Sequence, residues 1–109
     1  MPDVTVERRS APRVQLVLAA DVVELPRGAK LSARTADISR TGCYIDTLNP
    51  IPQGCLVHVR ITHHQEIFEA TARVVYVSAG LGMGLVFAEV APEHQALLDL
   101  WLAEKNQEY

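Results

Sequence analysis

Residues 56–62, Leu-Val-His-Val-Arg-Ile-Thr, alternate apolar and polar side chains almost without a break. Successive side chains of a strand point to opposite faces, so Val57, Val59 and Ile61 would face a core while His58 and Arg60 face water. A helix would scatter the same residues around its circumference. This stretch therefore belongs to a sheet with one dry face, and the residues after it extend the constraint. His63-His64-Gln65 reads as a hairpin turn and residues 66–78 as the returning strand. Ala79-Gly80 supplies the next turn, and Gly82-Met83-Gly84-Leu85-Val86-Phe87 the last strand.

Upstream, the valine-rich residues 14–25 read as one long strand bent near Ala19-Ala20, closed by a turn at Pro26-Arg27-Gly28. Residues 30–39 alternate with Leu31, Ala33, Thr35 and Asp37 on one side. After Thr41-Gly42 come a short strand, 43–46, and a proline-bounded loop, 47–54. Pro92 suits the first turn of a helix, where its missing N–H costs nothing, and Ala96, Leu97, Leu100 and Trp101 form an apolar stripe. Strands in hairpin order and then one helix describe an all-β-dominated fold: a six-stranded antiparallel β-barrel with a C-terminal α-helix. At 109 residues the chain is expected to be one domain, burying about 65% of its unfolded surface. It divides into an N-terminal arm (1–13), the barrel (14–91), and the helix and tail (92–109). The arm is polar, has no periodic apolar pattern, and is expected to be flexible.

Charge narrows the function classes. The net charge is −3, yet the first forty residues hold seven of the ten basic side chains against five acids. A protein that coats DNA or RNA is usually basic throughout, whereas a positive first third suits a small anion. No run is long enough to span a membrane, and the N-terminus lacks the apolar core of a signal peptide. The expected compartment is the cytoplasm, where Cys43 and Cys55 would be reduced.

The positive charge is concentrated in Glu7-Arg8-Arg9-Ser10-Ala11-Pro12-Arg13. Arginine's planar fork matches the oxygens of a phosphate or the O6/N7 edge of guanine. Pro12 biases Ala11 towards extended geometry, so Arg9 and Arg13 do not stack on one helical face. Four extended residues span roughly 13 Å, enough to grip two sides of one ligand. Alone, the run reads equally as a solvated basic tail. A second cluster, Asp37-Ile38-Ser39-Arg40-Thr41-Gly42, lies at a strand end. An ionised aspartate only accepts hydrogen bonds, which suits the N1–H and N2–H donors of guanine. Ser39 would lie on the same side as Asp37, and Gly42 allows either a positive φ or a close backbone approach. Alone, this too reads as an ordinary turn.

Together, Arg9-x-x-x-Arg13 and Asp37-x-Ser39-x-x-Gly42 on a small barrel resemble the signature of the PilZ domain family, cytoplasmic receptors of cyclic di-GMP. The resemblance extends to the glycine-rich last strand and the terminal helix. It implies a non-enzymatic receptor with Arg9 and Arg13 on guanine edges and phosphates, Asp37 and Ser39 on a guanine base, and Gly42 holding the turn. Arg8, just before the first motif, implies capture of an intercalated ligand dimer. The resemblance implies no cofactor, no nucleic-acid partner and no membrane insertion; signalling would pass through a change in arm conformation to an unidentified downstream protein. Competing readings are a PilZ-fold interaction adaptor not gated by nucleotide, a single-stranded nucleic-acid binder, and a phosphodiesterase. The second lacks aromatic platforms along a basic groove, and the third lacks a two-metal carboxylate cluster. His63-His64 lacks a third ligand, so no metal is expected. Tyr76 and Arg40 are candidates for stacking on a base, with half-buried core and solvated surface as their plainer roles.

Overall fold

The computed structural model describes residues 12–26 and 28–106. Arg8, Arg9, Arg27, the rest of the arm before Pro12, and residues 107–109 lie outside that description. Seven strands precede one helix: β1 (Val14–Gln15), β2 (Ala19–Glu24), β3 (Lys30–Ile38), β4 (Gly42–Asp46), β5 (Leu56–His63), β6 (Glu66–Ser78), β7 (Gly82–Glu89) and α1 (Pro92–Asn106). Every pairing is antiparallel, in the order β3-β2-β5-β6-β7-β4, and β4 returns to β3 to close a six-stranded barrel. The short β1 is an extra strand laid on β3, with Val14 opposite Ile38 and Gln15 opposite Asp37.

The expected long strand at 14–25 is interrupted at residues 16–18, although its inward alternation through Leu16, Leu18, Ala20 and Val22 continues. Thr35 explains the break. Its buried hydroxyl donates to the Leu16 carbonyl at 2.6 Å and accepts from the Leu18 N–H at 3.0 Å, replacing ladder bonds with side-chain bonds.

Val22, Ile45, Val57, Val59, Ile61, Phe68, Val74 and Met83 fill the barrel, and α1 adds Leu98 and Trp101 to the same core. The helix face differs from expectation: Leu98 is fully buried, whereas Ala96 is exposed and Leu100 is 51% exposed. The true stripe is His94, Leu98 and Trp101, at helical spacing. His94 docks through its ring, Nδ1 accepting the Glu69 N–H at 3.2 Å, and Trp101 donates its indole N–H to Glu66 Oε1 at 2.9 Å.

Candidate ligand-binding site

The site is built where β3 ends and the chain turns into β4. Through Thr35, β3 alternates as expected; then its register slips between Thr35 and Asp37. A bulge of this kind exchanges faces, so Ile38 becomes an inward core residue. Asp37 thus parts company with Thr35, contrary to the simple alternation expected for this strand, and keeps a 29% exposed side chain. Arg13, arriving just before β1, places Nη1 2.7 Å from Asp37 Oδ1. The two sequence clusters therefore meet directly. An ionised carboxylate offers about four acceptor positions, so Asp37 can hold Arg13 and still accept from other donors.

Ser39 lies deeper than a surface contact residue, at 3% exposure. Its N–H donates to the Gly42 carbonyl at 2.8 Å, and its hydroxyl accepts the Thr41 N–H at 3.2 Å. The hydroxyl also lies 3.3 Å from Thr41 Oγ1. Thr41 in turn accepts the Phe87 N–H on its carbonyl at 2.8 Å, pinning the turn to β7. Gly42 needs no positive φ here; it is required by close approach, since a Cβ would strike the Leu85 carbonyl and come within 3.3 Å of the Val86 Cα. Arg40, between Ser39 and Gly42, donates from Nε and Nη2 to the two carboxylate oxygens of Asp99 on α1, at 3.0 and 3.2 Å.

One residue beside the site escapes a reading of the sequence. Asp37 is the register partner of Tyr44, Tyr44 of Gly84, and Gly84 of Tyr76, so the four form one row across β3, β4, β7 and β6. The Tyr44 and Tyr76 rings lie 6.0 Å apart, tilted by 30°. They settle over bare backbone: a Cβ at Gly82 would meet Tyr44, and one at Gly84 would meet Tyr76. The available signal is Gly82-x-Gly84 inside a strand, which marks a close approach on one face. Tyr76 is 43% exposed, giving Asp37 an aromatic neighbourhood open to solvent.

The electrostatics are local. The Asp99 carboxyl is held below its usual range, chiefly by the hydrogen bond from Arg40, and Arg40 is raised by the same bond. Burial pushes the Cys43 thiol, beneath the site, up to about 12. The His63 and His64 rings lie against one another with centroids 4.3 Å apart, and the His63 and Trp101 rings meet at 87° in a T-shaped contact. Among the described residues no group of three or more His, Cys, Asp or Glu is arranged to hold a metal ion, and no helix is long and apolar enough to cross a membrane.

The family model for the PilZ domain matches residues 7–104. Solved structures agree on the fold. The PilZ domain with c-di-GMP of YcgR from Escherichia coli superposes with a TM-score of 0.75 at 16% identity, covering 92% of each chain. The inhibitor of motility MotI/DgrA from Bacillus subtilis gives 0.74 at 21% identity, covering 94% of this chain and 54% of that one. The PilZ domain of CeSA from a cellulose-synthesizing bacterium gives 0.68 at 16% identity, covering 84% of this chain and 95% of that one. No curated protein is significantly similar in sequence. With the family model spanning the barrel, the turn and most of the helix, the chain belongs to the PilZ domain family.

Proposed function

We propose that this chain is a non-enzymatic receptor for cyclic di-GMP. The observation that carries the reading is the 2.7 Å contact of Arg13 with Asp37, which unites a cationic segment and an acceptor at one barrel rim. Membership of the PilZ family and the likeness to the YcgR domain, whose structure contains c-di-GMP, support it. Arg9 and Arg13 grip guanine edges and phosphates, with two parallel hydrogen bonds available to each fork. Asp37 accepts from the guanine Watson–Crick edge, while Ser39 and Gly42 hold the turn that carries it. Tyr44 and Tyr76 offer a stacking surface on the same row. Binding draws the arm across the barrel, and that changed surface signals to a protein partner.

Arg8 sets the stoichiometry. Two cyclic dinucleotides bring about four negative charges together, and a third guanidinium offsets their repulsion. Titration calorimetry of the chain with cyclic di-GMP should give two ligands per chain, and Arg8→Leu should reduce this to one. A single ligand on the unmutated chain contradicts the dimer reading.

A further inference from the structure

We infer that Arg40 is a further messenger-binding cation, withheld by Asp99 in the free protein and taken over by the ligand's phosphodiester, which frees the 39–42 turn from α1. The inference rests on the cyclic dinucleotide reading and deepens it.

Arg40 stands inside the turn, three residues after Asp37 and between Ser39 and Gly42. With Asp99, Leu102 and Ala103 it borders a cleft of about 240 Å³ that is also lined by Pro12 and Val14, the chain neighbours of Arg13. An anion entering between the arm and the helix therefore meets Arg40.

Asp99 occupies the guanidinium fork with two oxygens, at 3.0 and 3.2 Å, and a phosphodiester presents a similar pair. Asp99 thus opposes binding twice, by filling the fork and by placing a negative charge beside the cleft. The exchange is easy. The side chains are 58% and 42% exposed, and ion pairs in such positions are screened and weak. Once Arg40 leaves, Asp99 keeps the hydrogen bond from Gln95 Nε2 at 3.1 Å, so neither partner is stranded.

The test is titration of cyclic di-GMP against the full chain, Asp99→Asn, Arg40→Gln and the double variant, with Glu104→Gln as a control removing the same charge from the same helix. Asp99→Asn should tighten binding about fivefold, the scale of a surface ion pair. Arg40→Gln should weaken it, and in the double variant most of the Asp99→Asn gain should vanish. Unchanged or weaker binding by Asp99→Asn, with a wild-type chain that binds, overturns the latch and leaves the receptor reading intact. Equal gains from Asp99→Asn and Glu104→Gln overturn it as well, because the effect is then general charge. A wild-type chain that does not bind removes the receptor reading and the latch with it.

Discussion

Cys43 is fully buried on β4, in register with Ile38 of β3. Its thiol is pushed up to about 12, first by complete burial, then by the negative charge of Asp37, against a smaller opposing effect of Arg13. The thiolate is the reactive form, so native Cys43 should resist alkylation at pH 8 and react only when the barrel unfolds, as mass spectrometry of labelled protein would show. The unfolded thiol, with an ordinary value of 9.0, loses its proton before the folded one, so Cys43's contribution to stability is fully present below that value. It should be lost as pH rises towards 12, read as a falling denaturation midpoint. Gly42 makes a second residue-scale prediction. Gly42→Ala forces a Cβ against the Leu85 carbonyl and should cost about 1–3 kcal/mol in urea unfolding. The meeting of Arg13 with Asp37 has a signal in the sequence, because a cation and an acceptor are written in residue types, whereas the burial of Ser39 has none. Tyr44 has none either, because an aromatic in a short strand signals nothing until the register puts it beside Asp37.

At the scale of elements, sequence pattern served where turn residues bracket a strand or a proline opens a helix. The β6 bounds and the Pro92 start of α1 coincide with the expected ones. Pattern misled where a side chain broke the rule. The Thr35 hydroxyl interrupts the ladder between β1 and β2, and the β3 bulge moves Ile38 inward. The helix face differs because His94 docks on β6, its Nδ1 accepting the Glu69 N–H, and Leu98 rather than Leu100 lies inward. Trp101 anchors that docking through Phe68, His63 and the Glu66 carboxylate. Trp101→Phe keeps an aromatic ring but removes the indole donor and some volume. It should lower unfolding free energy by about 1–3 kcal/mol while leaving the far-ultraviolet dichroism of the native state unchanged.

For the whole molecule, closure decides where function can sit. A closed barrel has no strand edges in its main ladder, so recognition falls to the rim, where chains turn and side chains escape the core. Here the rim lies at the seam where β4 returns to β3, and Arg13 reaches Asp37 there from a separate part of the chain. The uneven charge of the sequence fits the same proposal: positive charge is gathered in the first third of an otherwise acidic molecule, a distribution that suits a small anion better than a polyanion. We propose that the two motifs close on the same intercalated pair of cyclic dinucleotides. Calorimetric titration of cyclic di-GMP into the full chain and into the Arg9→Glu, Arg13→Glu double variant tests it most directly. Saturable binding by the unmutated chain is expected, with a loss of affinity of about 100-fold or more in the variant, as when hydrogen-bonded charges are reversed. A variant that binds as tightly as the unmutated chain would contradict it.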